Sequence, residues 1–358
     1  MSRSLKISQF VADLADGDAI SMDCLEIDRI LRDWGHRSSI YADRVHPQAA
    51  GKGQPLRRHR LEDGEVVILH YSIWSQCAEY VLSIRPPRLV MAYHNITPPD
   101  YFRGLNPDAE QATSKGRKDL ARFAPVAALG LGVSQFNRRE LEAAGFLRTG
   151  VLPLAINFER LKGPSSQRLL RELDSGFVNL LSVGRIVPNK SLEDVVKLFY
   201  HYHRSINPRS RLYLVGPSDM GMAYRHWLEA LVEHLGIEDS VYFPGRVPHA
   251  ELLAYYRVAR AYICLSEHEG FCAPLVESMY LGVPVLAYHS IAIPETLGDA
   301  GILFRRKDHR AMAEMLHLLI EDTALREKLV ARGRQRAQAF SREQIAKVLR
   351  EHLESVTR

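Results

Sequence analysis

The sequence predicts an α/β protein made of two doubly wound domains that face each other across a central cleft. The chain has 358 residues, more than one ordinary hydrophobic core encloses. Short apolar runs alternate with longer amphipathic stretches, a pattern typical of parallel strands joined by helices. The alternation stops at a polar stretch, 157–176, and then begins again. Two successive layers of this kind favour two domains.

The first domain is predicted to span residues 1–156. Its predicted strands lie at 5–11, 38–41, 66–70, 89–94, 126–133 and 150–154, and its predicted helices include 21–34, 73–83 and 137–144. The stretch 157–176 is polar and contains the letters GPSS at 163–166. Glycine, proline and serine clusters of this kind are typical of a linker between domains.

The second domain is predicted to span residues 177–338. Its predicted strands lie at 178–183, 211–215, 241–243, 261–265 and 283–287, and its helices at 192–204, 224–235, 250–258, 274–281 and about 308–340 with a break. The segment 339–358 is predicted to form a last helix, near 342–356, that packs back onto the first domain. Open parallel sheets bind ligands beyond the carboxyl ends of their strands, so we expect the binding residues just after strands.

Composition limits the class of protein. Hydrophobic residues make up 46% and charged residues 25% of the chain, as in a soluble globular protein. The net charge of +5 is compatible with a nucleotide, acidic lipid or nucleic-acid partner. The four cysteines are scattered singly, which argues against a zinc ribbon or a disulfide framework and favours the cytoplasm. Apolar runs stay below the roughly 18 residues of a spanning helix, and the opening letters MSRSLK lack a signal-peptide core.

Two glutamates flank a predicted helix start after the strand that ends near residue 265. The segment 269–277 reads EGFCAPLVE, and its proline suits the first turn of a helix. Glu269 is then expected in the preceding loop and Glu277 about one turn inside the helix. The free amides that open such a helix bind anions, and the two carboxylates accept hydrogen bonds from hydroxyl groups. A diphosphate between a sugar and a ribose fits this pattern; helix capping by Glu269 and a solvent-facing Glu277 are the alternative.

Two cations follow the first strand of the second domain. The segment 183–190 reads VGRIVPNK and places Arg185 and Lys190 on one strand-to-helix loop. Arginine can chelate two phosphate oxygens and lysine acts as a point charge, so the pair can converge on one diphosphate. A solvated basic pair is the alternative interpretation.

Both segments resemble signatures of the family 4 retaining glycosyltransferases. The first is similar to that family's E-G-F-G-x-P-x-x-E motif, with Cys272 in place of the usual glycine, and the second to its V-G-R-x-x-x-x-K motif. The resemblance implies the GT-B fold, in which two Rossmann-like domains face a cleft. It also implies that Glu269 contacts the transferred sugar, that Glu277 binds the donor ribose, and that Arg185 and Lys190 hold the pyrophosphate.

Further segments match the family in order. The letters LVG at 214–216 and FPGRV at 243–247 follow predicted strands, and the resemblance places the second against the nucleobase through backbone groups of Arg246 and Val247. Glu295 also matches, with a surface carboxylate as the alternative. The expected donor-binding residues of the second domain are Gly184, Arg185, Lys190, Gly216, Arg246, Val247, Glu269, Gly270, Phe271, Cys272, Ala273, Leu275 and Glu277.

The first domain carries fewer signals. Gly17 and Asp18 lie between the first strand and a helix, similar to the family's glycine loop, and are expected to bind the donor. They do not form a G-x-G-x-x-G dinucleotide motif. His94 ends a predicted strand and opens into a loop, in the letters YHNITPP at 93–99. It matches a family histidine near the transferred sugar, so it joins Glu269, Arg185 and Lys190 as an expected catalytic residue. A purely structural role is the alternative for His94. Ser134 also matches a family position, and helix capping is the alternative interpretation of its hydroxyl.

No metal and no cofactor beyond the donor are expected. The histidines form no HExxH motif, and the pair Asp16 and Asp18 falls in the glycine loop rather than at a strand end. Arg185, Lys190 and the helix start would neutralise the leaving group instead. The basic letters LRRHR at 56–60 are either a solvated surface or a contact with acidic lipid headgroups. They carry no interleaved aromatic residues, which disfavours nucleic-acid binding.

The sequence therefore predicts a retaining, metal-independent glycosyltransferase. The expected substrates are a UDP- or GDP-linked sugar and a glycan or lipid-linked acceptor, and the resemblance implies surface polysaccharide or lipopolysaccharide synthesis. The expected location is the cytoplasm, with peripheral contact at the inner face of the membrane as an added hypothesis. A sugar-nucleotide epimerase and a non-catalytic nucleotide-sugar-binding module on the same scaffold are the alternatives.

Overall fold

A computed structural model describes residues 4–174 and 176–357. The ends of the predicted first and last segments, residues 1–3 and 358, and residue 175 of the predicted linker lie outside the described residues. The chain divides into two compact units. The first unit holds the chain up to Asp100, then Glu110–Asn157 and the segment from Phe340 on. The second unit holds Tyr101–Ala109 and Phe158–Ala339.

A parallel seven-stranded sheet forms the centre of the first unit, in the order β3-β2-β1-β4-β5-β6-β7 among the described residues. The strands are β1 (Lys6–Leu14), β2 (Arg37–Val45), β3 (Gln54–Pro55), β4 (Val66–Tyr71), β5 (Arg88–Tyr93), β6 (Leu129–Gly132) and β7 (Thr149–Val151). Both faces of the sheet are covered. Val66 and Ile68 of β4 point into one apolar cluster, and Val67 and Leu69 into another, because successive strand residues face opposite sides.

Helices cover both faces of this sheet. The first four are α1 (Ala19–Asp33), α2 (Gln76–Ile84), α3 (Pro107–Phe123) and α4 (Gln135–Ala143). Asp18 caps α1 and Ser134 caps α4, each by accepting a hydrogen bond from the backbone amide three residues later. The capping interpretation of Ser134 is therefore confirmed.

The second unit is built on a parallel six-stranded sheet in the order β10-β9-β8-β11-β12-β13 among the described residues. Its strands are β8 (Val178–Val183), β9 (Ser210–Val215), β10 (Val241–Gly245), β11 (Ala259–Cys264), β12 (Val285–Tyr288) and β13 (Ile302–Phe304). Its helices are α5 (Phe158–Leu161), α6 (Gln167–Leu173), α7 (Leu192–Ser205), α8 (Met222–His234), α9 (His249–Val258), α10 (Ala273–Leu281), α11 (Ile293–Leu297), α12 (His309–Glu321) and α13 (Thr323–Ala337).

The chain ends in α14 (Arg342–Thr357), which belongs to the first unit. Ile345, Leu349 and Leu353 recur at three- to four-residue spacing on α14 and are buried in the same cluster as Ile27 and Leu31 of α1. The amide of Ile156 donates to the carbonyl oxygen of Phe340, so the segment that leaves this unit and the segment that returns to it meet at one point.

Several elements depart from the sequence prediction. The short strands β3 and β13 and the helix α3 were not predicted, and the predicted linker contains α5 and α6. A segment after His94, Tyr101–Ala109, belongs to the second unit, where Phe102 and Ala109 pack against Val187. Among the described residues, the structure contains no helix with the length and apolar character needed to cross a bilayer.

Candidate functional site

The second unit places its site residues where the strand order reverses. From β8 the chain adds β9 and β10 on one side and then crosses to add β11 on the other. In open parallel sheets this reversal opens a crevice at the carboxyl ends of the two central strands. Gly184 and Arg185 directly follow β8, and Glu269 lies in the loop that follows β11. Gly184, Arg185, Lys190 and Glu269 line one pocket at this edge.

Lys190 and Glu269 form an ion pair in this pocket. A 3₁₀ turn, Pro188–Lys190, directs the lysine toward the neighbouring loop, and its ammonium donates to Glu269 Oε1 at 2.5 Å. The side chains are only 20% and 9% exposed, respectively. Although burial opposes the charged form, the carboxylate of Glu269 raises the pKa of Lys190 above its ordinary value. The ammonium is therefore positive at neutral pH and available to a diphosphate.

The loop that carries Glu269 is held by three polar side chains. Asn189 donates from Nδ2 to the carbonyl oxygen of His268 at 2.9 Å, and its own carbonyl accepts from the amide of Glu267. Thr296 donates to the carbonyl oxygen of Phe271 at 2.7 Å. Ser290 donates to the carbonyl oxygen of Ser266. These bonds fix the loop backbone independently of any ligand.

Helix α10 begins as predicted, with Pro274 in its first turn. Cys272 is the N-cap and adopts a left-handed conformation, φ 70° and ψ 73°. This conformation favours glycine, which explains physically why the family motif has glycine at this position. The side chain of Leu275 is fully buried, and its amide donates to the carbonyl oxygen of Cys272 at 3.1 Å. The amide of Leu275 therefore already has a backbone partner.

Glu277 lies one turn inside α10 and has a partner from another helix. The phenol of Tyr256, on α9, donates to Glu277 Oε2 at 2.7 Å. Burial of the carboxyl group away from water raises the pKa of Glu277, while the hydrogen bond from Tyr256 lowers it. One oxygen of the Glu277 carboxylate therefore already has a protein partner.

Glycines close the adjacent strand ends. The amide of Gly184 donates to the carbonyl oxygen of Val215, and the amide of Gly216 to that of Gly245. A Cβ atom on Gly216 would lie 1.9 Å from the carbonyl oxygen of Gly184. Glycine is therefore required at residue 216 for the two loops to approach.

The remaining predicted donor residues surround this edge. Arg185 is exposed and donates from Nη1 to the sulfur of Met220 at 3.1 Å. Arg246 is exposed and Val247 partly buried in the loop between β10 and α9. Gly270, Phe271 and Ala273 lie in the turn that opens α10.

Three predicted residues belong to the first unit. Gly17 is exposed with φ 78° in the loop after β1, where its backbone conformation favours glycine. The carboxylate of Asp18 accepts from both the amide and the hydroxyl of Ser21 at 3.0 Å, so it has a structural partner. His94 directly follows β5, so the strand ends one residue earlier than predicted.

A buried polar chain holds His94. His70 Nδ1 lies 2.9 Å from His94 Nε2, and His70 Nε2 lies 2.9 Å from Gln9 Oε1. With Gln9 Oε1 as the acceptor, His70 Nε2 carries the proton, and His70 Nδ1 then accepts from His94 Nε2. Nδ1 of His94 is thereby left as an acceptor, and it has no hydrogen-bond partner within the protein. Burial lowers the pKa of His94 to about 3 and that of His70 well below its usual range. Both rings are therefore neutral near pH 7.

Two groups within the described residues bring three metal-ligating atoms to within 4.8 Å of one another. One consists of Asp23, His70 and His94, and the other of Cys264, Glu269 and Cys272. Burial raises the pKa of Asp23 to about 7, and its Oδ1 accepts from the amide of Ala155 at 2.8 Å. The absence of a metal requirement stays a prediction.

The basic run at 56–60 has two kinds of residue. Arg57, Arg58 and Arg60 are exposed, whereas His59 is fully buried between Tyr80 and Glu65. Only the arginines are available to a charged surface.

Sequence reasoning missed the residues that support the site. Asn189 stands beside Lys190 in the quoted motif, so its position in the loop was a usable signal. Tyr256, Thr296, His70 and Gln9 are brought in by distant elements and carry no motif. Their roles depend on contacts across 21 to 61 residues of sequence.

The two parallel sheets, each covered by helices on both faces, define the GT-B class of α/β folds, as predicted. Sucrose-phosphate synthase from Thermosynechococcus elongatus has the same fold with a TM-score of 0.78 and 19% identity, and the match covers 98% of this chain and 99% of that one. Anabaena HepE in complex with UDP and glucose gives a TM-score of 0.76 with 18% identity, over 98% and 100% of the two chains. At these identities the likeness shows the fold alone.

Residues 171–336 match the family model described as glycosyl transferases group 1. The O-antigen chain mannosyltransferase B of Escherichia coli is 31% identical over 165 residues, which is 45% of this chain and 42% of that protein. The match therefore spans about two fifths of the length of this curated relative. The predicted family resemblance of the second half is confirmed.

Proposed function

We propose that this protein is a glycosyltransferase that moves a sugar from a nucleotide-diphosphate donor to a glycan or lipid-linked acceptor. The observation that carries the proposal is the pocket at the reversal of strand order in the second unit. It combines the Lys190–Glu269 pair with Gly184 and Arg185, next to the turn that opens α10. Cations, helix-start amides and carboxylates in one place suit a diphosphate with hydroxyl-bearing groups at both ends.

The similar proteins support this substrate class. The E. coli relative is named for O-antigen chain synthesis, and the HepE structure contains UDP and glucose. From these proteins we infer that the donor of this protein is a UDP- or GDP-linked sugar and that its role is in surface polysaccharide synthesis. The donor would contact Gly17 and Asp18 as well as the second-unit residues, as the family resemblance implies.

The residues of this chain would act mainly through charge. As the bond between the sugar and the diphosphate breaks, negative charge grows on the leaving oxygen. Arg185, the ammonium of Lys190 and the start of α10 would stabilise it. Glu269 would orient the transferred sugar and Glu277 the ribose, through hydrogen bonds from hydroxyl groups. Neutral His94 would meet the sugar as a hydrogen-bonding group rather than as a cation.

We further propose retention of the anomeric configuration and independence from metal ions, in a family 4 enzyme. Fixed cations in the pocket can neutralise the diphosphate, the task that a metal performs elsewhere. NMR of the newly formed glycosidic bond would test retention, since an inverted product contradicts it. Full turnover after removal of metals with EDTA would test metal independence.

The acceptor side of the proposal includes contact with the inner face of the membrane. The exposed Arg57, Arg58 and Arg60 supply charge that anionic headgroups attract. Salt-sensitive binding to vesicles rich in phosphatidylserine, weakened by replacing the three arginines with serine, would support this location. Equal binding by the variant would contradict it.

Replacement of the pocket cations tests the central proposal. We expect Lys190→Ala and Arg185→Ala each to lower turnover of the nucleotide sugar about 100- to 1000-fold, because transition-state charge loses a fixed partner. Release of nucleoside diphosphate from a panel of UDP- and GDP-sugars, first ranked by thermal shift, measures it. Lys328→Ala is the matched control, since Lys328 is exposed on α13.

Lys190→Ala also leaves Glu269 without its ion-pair partner, so loss of folding must be separated from loss of catalysis. Arg185 is exposed, and its variant is expected to keep the wild-type melting temperature. Near-normal turnover in both variants would disprove the proposed site. Formation of an altered nucleotide sugar without acceptor would instead indicate an epimerase, and donor binding without turnover a binding module.

A further inference from the structure

Two cysteine thiols meet in the second unit. Cys264 ends β11 and Cys272 is the N-cap of α10, eight residues later. Their sulfur atoms are 3.9 Å apart, and both residues are buried. The two other cysteines, Cys24 and Cys77, lie in the first unit. The loop between the paired thiols is the one that carries Glu269.

A carboxylate completes the cluster. An oxygen of Glu269 and the two sulfur atoms all lie within 4.8 Å of one another. Cys264 also contacts the hydroxyl of Ser266 at 3.5 Å, and the ammonium of Lys190 donates to Glu269 Oε1. Two sulfurs and one carboxylate oxygen are a ligand set that Zn²⁺ accepts, with a fourth position left for water or substrate.

The separation of the sulfurs distinguishes metal binding from disulfide formation. A tetrahedral zinc with Zn–S bonds of about 2.3 Å holds its two sulfurs roughly 3.8 Å apart. A disulfide requires about 2.05 Å. The observed 3.9 Å therefore matches the edge of a tetrahedral site with little movement, whereas a disulfide would require the two sulfur atoms to approach each other by nearly 2 Å.

Charge balance also favours a divalent cation. Each thiol releases a proton when it becomes a metal ligand, so two thiolates offset the two charges of the ion. The Lys190–Glu269 pair is neutral as a whole and can stay in place beside it. The buried cluster is thus neutral before and after binding, which avoids the cost of an unpaired buried charge.

We propose that Cys264, Cys272 and Glu269 form a binding site for a soft divalent cation such as Zn²⁺, and that its occupancy inhibits the enzyme. The inhibitory part rests on the function proposed above. A bound ion would engage Glu269, which the transferred sugar needs, and would fix the turn that opens α10. Cys264 and Glu269 line the pocket that also contains Lys190, which gives the ion a route to the cluster.

Cobalt binding tests the site without any donor or acceptor. Metal-free, reduced full-length protein is titrated with Co²⁺, whose thiolate charge-transfer absorption reports sulfur ligation, and then with Zn²⁺, which displaces the cobalt. We expect wild type to bind an equimolar amount of cobalt with release of two protons per ion, and the exchange of cobalt for zinc to release none. Cys264→Ser keeps the size of the side chain and should lose this absorption, as should Cys264→Ala. Cys24→Ala, which removes a buried thiol of the first unit, should keep it.

Turnover of the nucleotide sugar then tests inhibition. Zn²⁺ should inhibit wild type and Cys24→Ala, EDTA should restore turnover, and the Cys264→Ser variant should no longer respond to Zn²⁺. Absence of sulfur-to-cobalt absorption in wild type, or its persistence in both Cys264 variants, would overturn the site. Rapid disulfide formation with peroxide and no metal binding would overturn it too. Metal binding without any turnover would refute the proposed function and leave the site intact.

Discussion

Glu269 and Glu277 belong to one motif but have different partners. Glu269 pairs with an ammonium at 2.5 Å, and Glu277 accepts a hydrogen bond from a phenol at 2.7 Å. Burial raises the pKa of Glu277. The phenol offsets this rise only in part, because a neutral donor stabilises a carboxylate less than a full positive charge does. Ionised Glu277 accepts hydroxyl hydrogen bonds best. Donor binding should therefore weaken as pH falls through the raised pKa of this group.

Removal of the phenol tests this dependence. In Tyr256→Phe the hydrogen bond that lowers the pKa of Glu277 is lost, and the pKa rises further. We expect the acid limb of kcat/KM for the donor to move upward by about one pH unit. Tyr242→Phe is the control, because its hydroxyl donates only to a backbone carbonyl near the surface. An unchanged acid limb in Tyr256→Phe, with a lowered melting temperature, would mean that Tyr256 is purely structural.

At the scale of elements, close approach of strand ends shapes the pocket. The loops after β8 and β9 touch at Gly184 and Gly216, and the ends of β9 and β10 are joined by a hydrogen bond between Gly216 and Gly245. This packing brings Gly184 and Arg185 to the same edge as the turn before α10. A side chain larger than hydrogen at residue 216 would force the loops apart.

A single methyl group should show this. In Gly216→Ala the new Cβ would lie 1.9 Å from the carbonyl oxygen of Gly184, and φ of 151° adds strain. We expect the free energy of unfolding to fall by roughly 1–3 kcal/mol, which lowers the melting temperature. We also expect loss of the thermal shift that nucleoside diphosphate produces. Gly333→Ala in α13 is the control, because its nearest neighbour is the flexible side chain of Met279 at 3.3 Å. A wild-type thermal shift in Gly216→Ala would contradict this account.

Elements with strong periodicity were predicted well, and elements defined by context were not. Helices α7, α9 and α10 were placed to within one residue at each end, since apolar spacing, a proline at the start and a glycine after α10 mark them. Helix α3 was missed because its sequence is rich in charge and poor in apolar residues. The segment Tyr101–Ala109 gave no sign that it packs in the second unit, because its contacts with Val187 and Met220 bridge about 100 residues of sequence.

For the molecule as a whole, acid stability should depend on a buried cluster in the first unit. His70 and His94 have lowered pKa values when folded and take up protons below about pH 6.5 only when unfolded, so stability falls as pH falls below that value. Asp23 has its pKa raised to about 7 by burial, partly offset by the Ala155 amide and reinforced by nearby Glu26. It takes up a proton when folded, which stabilises the protein as pH falls from about 7 to 4.

These opposing effects predict how the pH dependence of stability changes in one variant. Between about pH 4.5 and 6 the unfolded chain carries two protons on these histidines that the folded chain lacks. The folded chain carries one proton on Asp23 that the unfolded chain lacks. Asp23→Asn removes the latter and keeps an oxygen for the Ala155 amide. The loss of stability should steepen from about 1.4 to about 2.7 kcal/mol per pH unit. Urea unfolding at several pH values measures this slope, with Asp33→Asn, an exposed position on α1, as the control. Equal slopes would show that Asp23 is ionised in the folded protein.

The sequence by itself determined the α/β class, the family resemblance of the second half and the positions of its charged motifs. These follow from local spacing: apolar periodicity sets the strands and helices, and short motifs mark the loops between them. Only the tertiary structure decided which groups meet, such as Lys190 with Glu269, Tyr256 with Glu277, His70 with His94 and Cys264 with Cys272. The reason is that a side chain's partner and burial depend on strand order and helix packing, which join residues far apart in the chain.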